Sequence, residues 1–201
     1  MATEIITGNY FNKYETQNII YKKLTNRFLE HLLLLIPENK PLSILELGCG
    51  EGYLASKIIE RRNVKIYRGI DIDAALIKMA NEMNPSAEFK VASIYDLNEY
   101  VGESFDIVLC SEVLEHLYEP EKALQQFSQI NSSCFVLSVP NEPLWSFLNM
   151  IRLKYWKNWG NTPGHVQNWS VKSFKKVVSR NLKVVEHKAV FPWQMAVCIN
   201  L

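Results

Sequence analysis

An α/β fold, with a mostly parallel sheet and helices on both of its faces, is predicted by three observations. Short apolar runs alternate with stretches of helical periodicity from residue 18 to residue 140. The first apolar run stops at a glycine cluster that opens a helix. The chain has 201 residues, 48% of them hydrophobic, enough for one sizeable core, and no low-complexity linker divides it.

The elements follow in chain order. Asn18–Ile36 places Ile20, Leu24, Phe28, Leu32 and Leu35 at helical spacing and ends at Pro37, as an amphipathic helix does. Ser43–Leu47 reads as a strand that runs into Gly48, Gly50 and Gly52, after which Tyr53–Arg62 resumes helical periodicity. Lys65–Ile70 is a strand, Ala74–Met83 a helix, Ala87–Val91 a strand and Phe105–Cys110 a strongly apolar strand. A helix over about 120–130 and a strand over Cys134–Val139, closed by Pro140, complete the alternation. Beyond Pro140 the pattern changes. Leu144–Trp159 looks helical, Gly160–Gly164 is a turn, Val171–Ser179 is helical, and Leu182–Phe191 and Met195–Leu201 read as two last strands joined through Pro192. One domain over residues 1–201 is the economical account, with 1–40 as an N-terminal helical lid and 141–181 as a helical cap inserted before the last two strands.

The charge sum of 22 Lys+Arg against 21 Asp+Glu argues at face value against a strongly nucleic-acid-binding or membrane-surface protein. Its distribution is uneven. Residues 1–140 carry 13 basic and 19 acidic side chains, whereas 141–201 carry 9 basic and 2 acidic and hold all five tryptophans, Trp145, Trp156, Trp159, Trp169 and Trp193. The composition excludes disorder, a collagen-like fibre and a disulfide-stapled miniprotein. Cys49, Cys110, Cys134 and Cys198 lack CxxC spacing and read as reduced core thiols, so a cytoplasmic setting is expected. Met1–Asn9 has no basic region followed by an apolar stretch, and Leu32–Ile36, the most apolar helical patch, is too short to span a bilayer.

Leu45-Glu46-Leu47-Gly48-Cys49-Gly50-Glu51-Gly52 is a strand, glycine turn and helix start, where the backbone can approach a ligand closely. A pyrophosphate-binding turn would read G-x-G-x-x-G. Here the spacing is G-x-G-x-G, and a carboxylate at Glu46 repels phosphate but accepts from an ammonium group. About 20 residues on, Asp71 ends the second strand, where it can accept from both hydroxyls of a ribose or cap the next helix, a role that suits Asp73 better. A cationic nucleoside is the predicted ligand.

ILELGCGEG, GIDID and FDIVLCSEVLEHL together resemble the successive motifs of class I S-adenosylmethionine-dependent methyltransferases over residues 41–145. The resemblance implies a Rossmann-like seven-stranded sheet with the last strand antiparallel. It also implies S-adenosylmethionine as cofactor, with Glu46, Gly48 and Gly50 near its methionine part, Asp71 on the ribose and Ile72 flanking the adenine. Cys49 and Ser111 lie within the matching motifs and join that set. Where many members read G-D-A after the third strand, this chain has Ala92-Ser93-Ile94, so Ser93 with Ile94 takes the adenine position, or Asp96 substitutes.

Methyl transfer needs the acceptor positioned and, for a hydroxyl, a base or a metal to handle its proton. Glu112, Glu115 and His116 stand at i, i+3 and i+4, and share a face if that turn is helical; His165 lies in the turn at 160–165. Two carboxylates and two imidazoles could hold Mg²⁺ or another divalent metal. The E-x-x-E-H pattern with a later histidine resembles metal-assisted O-methyltransferases of quinone biosynthesis and of small-RNA 3′ ends. It also resembles metal-free relatives in which the histidine packs over the cofactor. His116 and His165 are therefore candidates both as catalytic bases and as ligands, with a structural loop histidine the third reading of His165. His31 and His187 read as ordinary helix and strand histidines.

Arg152, Lys154 and Lys157 interleave with Trp145, Phe147, Tyr155, Trp156 and Trp159, which suits an anionic acceptor with an apolar body or, equally, the core and solvated face of a helical cap. A small-molecule or lipid-like acceptor, reached at a membrane surface by the 144–159 helix, is favoured over RNA, for which no binding module is visible. Tyr10–Tyr14 either covers the cofactor as a lid or packs beneath the insertion. The expected activity is methyl transfer to oxygen, against RNA 2′-O-methylation and a silent cofactor-binding subunit; oligomeric state is not readable.

Overall fold

The computed structural model describes residues 19–142 and 166–201. In chain order the elements are α1 (Ile19–Leu33), β1 (Leu42–Leu47), α2 (Tyr53–Arg61), β2 (Val64–Asp71), α3 (Ala74–Met83), β3 (Glu88–Val91), β4 (Ser104–Phe105), β5 (Ile107–Ser111), α4 (Pro120–Phe127), β6 (Asn131–Ser132), β7 (Phe135–Pro140), α5 (Val171–Val178), β8 (Leu182–Val190) and β9 (Trp193–Asn200). Single 3₁₀ turns sit at Asn98–Tyr100 and Leu114–His116.

Seven strands make one sheet in the order β3-β2-β1-β5-β7-β9-β8. β1, β2, β3, β5 and β7 pair in parallel, and β9 is antiparallel to both β7 and β8, between which it inserts. The strand order reverses between β1 and β5, which opens a crevice at their carboxyl ends.

Alternation along the buried strands feeds two cores. Leu42 and Ile44 of β1 pack with Phe28, Leu32, Ile58 and Ile77 from α1, α2 and α3, while Leu45 and Leu47 pack on the other face with Leu124, Phe127, Phe174 and Val178 from α4 and α5. Helices thus cover both faces, as the alternating pattern predicts. Asp73 caps α3, its carboxylate accepting from Ala75 N at 2.8 Å and Leu76 N at 3.3 Å.

One reading changes. The strand expected over Phe105–Cys110 breaks at Asp106, whose carboxylate accepts from the Ser43 amide and hydroxyl at 2.8 Å each and from Lys40 Nζ at 2.7 Å; Ser104–Phe105 pairs separately with Asn131–Ser132. The basic C-terminal stretch supplies β8 and β9, two of the seven strands of the sheet, where the two last strands were expected. Trp169 and Trp193 are buried in those cores. The expected 144–159 helix, the 160–164 turn and the Tyr10–Tyr14 lid fall outside the described residues. Where the chain leaves and rejoins the described fold, Glu142 N donates to Trp169 O at 2.9 Å, and the buried Gln194 amide donates to the same carbonyl at 2.8 Å. Among the described residues no helix is long and apolar enough to cross a membrane.

Candidate functional site

The residues expected to bind a nucleoside follow or end β1, β2, β3 and β5, on the carboxyl side of the sheet where the strand order reverses. Gly48, Gly50 and Gly52 all have positive φ (80°, 54° and 78°), and Gly48 N and Cys49 N both donate to Ile70 O, at 2.8 and 2.9 Å, which pins the loop to the end of β2. Gly48 is favoured for a second reason: a Cβ there would lie 2.4 Å from Val113 Cγ2, so a side chain at residue 48 would force Val113 of the loop after β5 to shift. Gly52 starts α2 in the left-handed conformation, and Asn84 Nδ2 holds its carbonyl at 2.9 Å.

Asp71 accepts from Gly50 N at 2.9 Å through Oδ2 and from Asp73 N at 3.0 Å through Oδ1. It orders the glycine loop rather than capping α3. Each carboxylate oxygen has a second lone pair, so both can still accept from a ligand hydroxyl. Beside it Ile72 is 36% exposed, an apolar surface open to a flat partner. Ser93 Oγ accepts from Tyr95 N at 3.2 Å, which keeps its own proton for donation, and Ser93 and Ile94 are half-buried. Asp96 is exposed, and its Oδ1 accepts from the Asn98 side-chain amide at 2.7 Å.

Glu46, at the end of β1, is 2% exposed and accepts from the Tyr67 hydroxyl at 2.7 Å. Burial pushes its carboxyl up to about 8, against the lowering effect of the Tyr67 bond, and the negative neighbours Asp71 and Glu51 push the same way. The buried Cys49 thiol, next to Glu46 and Asp71, is held in its neutral form for the same reasons. All four cysteines are free.

The loop after β5 departs from expectation. Ser111 Oγ lies 2.9 Å from Ser138 Oγ. Glu112 sits in the left-handed region at φ 59°, and its Oε2 accepts from the Trp193 indole at 2.7 Å. Trp193 in turn packs on Phe28 of α1 at a centroid distance of 5.0 Å. Only Leu114–His116 is helical, as one 3₁₀ turn, so Glu112, Glu115 and His116 do not share the helical face that the i, i+3, i+4 spacing predicts. His116 Nε2 stands 3.9 Å from Glu115 Oε1. Among the described residues no three His, Cys, Asp or Glu side chains converge as a metal site. His165 lies outside them, but Val166 N and Gln167 N, the next two along the chain, both donate to Glu115 O, at 2.9 and 3.0 Å.

Tyr67 and Trp193 are the site residues the sequence reading missed. Each bonds a carboxylate distant in sequence, 21 and 81 residues away, so no local pattern marks them.

Residues 20–187 match the methyltransferase-domain family. The mitochondrial ubiquinone biosynthesis O-methyltransferase of Saccharomyces cerevisiae is 33% identical over 154 residues, covering 74% of this chain and 49% of that protein. The chain spans about half or less of the length of such curated relatives. Among solved structures, the small RNA methyltransferase HEN1 superposes with a TM-score of 0.70 at 22% identity, covering 88% of this chain and 26% of that one. An S-adenosylmethionine-dependent methyltransferase from Mesorhizobium loti gives 0.67 at 16% identity, covering 87% and 99%. At these identities the two superpositions speak for the fold.

Proposed function

The chain belongs to the class I S-adenosylmethionine-dependent methyltransferases, and from that membership we propose that it moves a methyl group to an oxygen of a small or lipid-like acceptor. One observation carries the cofactor assignment: a buried, cation-seeking Glu46 beside three positive-φ glycines, with Asp71 at the end of the next strand. S-adenosylmethionine supplies an activated methyl with its leaving group already attached.

We assign the remaining work to the chain as follows. Glu46 takes the amino-acid ammonium, Gly48, Cys49 and Gly50 bring backbone against the methionine part, and Asp71 holds the ribose hydroxyls. Ile72 and Ile94 flank the adenine, and the Ser93 hydroxyl donates to its edge. Ser111 and the Glu112–His116 loop border the acceptor side. His116, set beside Glu115, and His165 receive the proton that a hydroxyl acceptor loses. The ubiquinone relative, named for an O-methylation, supports oxygen as the target and a lipid-like acceptor. Glu112, Glu115 and His116 alone do not fit a metal centre, so no step here runs through one.

The deciding experiment incubates the protein with methyl-labelled cofactor and separate lipid, small-molecule and RNA fractions. Label in a lipid or small-molecule fraction supports the reading. Transfer into RNA, with affinity that falls steeply as salt rises, would replace the acceptor assignment. Cofactor bound but never consumed would indicate a silent subunit, and NADH bound in place of S-adenosylmethionine would overturn the family's chemistry for this chain. Transfer that survives EDTA supports the metal-free base; loss restored by Mg²⁺ or Mn²⁺ would add a cation to the site.

A further inference from the structure

Tyr67 belongs to none of the motifs, yet its hydroxyl ends at the carboxylate assigned to the cofactor's charged end. Its ring is 3% exposed and tilts against Phe89 at a centroid distance of 6.2 Å. Burial and the adjoining Glu46 push the phenol well above its ordinary range, so it remains a donor throughout the working pH range. It engages Oε2 of Glu46, and among the described residues none donates to Oε1. Among the described residues, the titratable groups that face Glu46 are Tyr67 and Asp71 from β2, Cys49 and Glu51 from the glycine loop, and Cys110 from β5. Not one of these is a cation.

Resting on the cofactor reading above, we infer that Tyr67 is a positioning residue that holds Glu46 by one oxygen and presents the other to the cofactor's ammonium group, so that binding expels a proton from Glu46. The physical argument is a charge balance. A carboxyl buried among acids, thiols and a phenol keeps its proton because none of these described groups offsets the anion. An ammonium arriving at Oε1 supplies that offset; the carboxyl O–H bond breaks heterolytically, its electron pair stays on Glu46 and the proton leaves to water. Tyr67 donates to the anion as well, so it sets the pH at which the exchange becomes easy. Replacing its hydroxyl by hydrogen leaves the packing in place and removes only that donor.

Calorimetric titration of the full chain tests this from pH 6 to pH 8.5, with S-adenosylhomocysteine as probe and paired buffers of different ionisation enthalpy to count protons. The wild type is expected to bind roughly tenfold more tightly per pH unit up to about pH 8, releasing about one proton at the acid end. 5′-Methylthioadenosine, which has no ammonium, is expected to bind without that slope, and Glu46→Gln to remove slope and proton release together. Losing one hydrogen bond to the anion moves the midpoint by about one pH unit. Tyr67→Phe is therefore expected to bind roughly tenfold more weakly at pH 7, with the gap closing to about threefold at pH 8.5. A deficit in Tyr67→Phe that is equal at every pH would mean a merely structural tyrosine and would overturn its role. Wild-type affinity that is flat with pH, with no proton released, would overturn the coupling while leaving the cofactor assignment standing. No binding of S-adenosylhomocysteine at any pH would instead overturn the cofactor assignment itself. If Tyr67→Phe does not fold, the wild-type proton count and the Glu46→Gln slope still decide the coupling.

Discussion

The two ends of the central strand pair β1 and β5 each carry a carboxylate, and the two are treated in opposite ways. At the amino end Asp106 receives the Lys40 ammonium, the Ser43 amide and the Ser43 hydroxyl, and its carboxyl is held down to about 2. At the carboxyl end Glu46 receives a single phenol, faces Asp71 and Glu51, and is pushed up to about 8. Asp106 has an ammonium, an amide and a hydroxyl around it, whereas no described residue brings a cation to Glu46. The difference separates a stapling carboxylate from the one proposed to bind the cofactor, and it agrees with the general rule that ligands of open α/β sheets sit at the carboxyl ends of the strands.

Signs of pH dependence follow from the two directions. Glu46 holds its proton more tightly in the folded chain than at its usual 4.5, so its contribution to stability is intact below about 4.5 and is lost as pH rises toward 8. Asp106 does the reverse: its contribution is present above the usual 3.8 and lost as pH falls through about 2.

Four substitutions bear on the contrast. The largest effect is expected from Gly48→Ala, which puts a Cβ 2.4 Å from Val113 at φ 80°. Strain and displacement of the loop after β5 should cost about 2–3 kcal/mol of stability and abolish cofactor binding, as measured by thermal melting and titration. Wild-type affinity in this variant would mean that the two loops need not touch. Next is Glu46→Gln, expected to weaken S-adenosylhomocysteine binding at pH 8 by about 2 kcal/mol while raising the melting temperature of the ligand-free protein at that pH. That gain should shrink toward pH 4.5, and a variant no more stable than wild type at pH 8 would erase the contrast with Asp106. Asp71→Asn keeps an acceptor for Gly50 N but loses the charge, and should cost about 1 kcal/mol of affinity for the same probe. Unchanged affinity would place the ribose elsewhere. The smallest change is expected from Asp106→Asn, about 0.5–1 kcal/mol of stability near pH 7, none below pH 2, and no change in cofactor affinity. A loss of binding there would show that the two ends are not independent.

Most of the architecture is legible in the amino-acid sequence. The period-2 and period-3.6 patterns placed α3 at its observed ends and every strand of the main sheet within a few residues, because burial on two faces leaves a continuous apolar run in each central strand. The exception, Phe105, shows why local pattern fails: it is apolar enough to extend β5, but Asp106 beside it is bound to Lys40 and Ser43, more than 60 residues earlier in the chain. Likewise Glu112, Glu115 and His116 at i, i+3 and i+4 share a face only in a helical turn, and Glu112, left-handed and bonded to Trp193, lies outside the one 3₁₀ turn there.

Composition, periodicity and the glycine spacing were enough to determine the fold class, the position of the glycine loop and the acids at its rim, since each of these depends on residues close together in the chain. Tertiary structure alone decided how those acids are charged and aimed. Tyr67 reaches Glu46, Trp193 reaches Glu112 and Val113 closes on Gly48 only after the strands have been ordered in the sheet. A carboxylate's proton affinity is set by how far it is buried and which dipoles and charges surround it, and that environment is assembled from residues far apart in sequence.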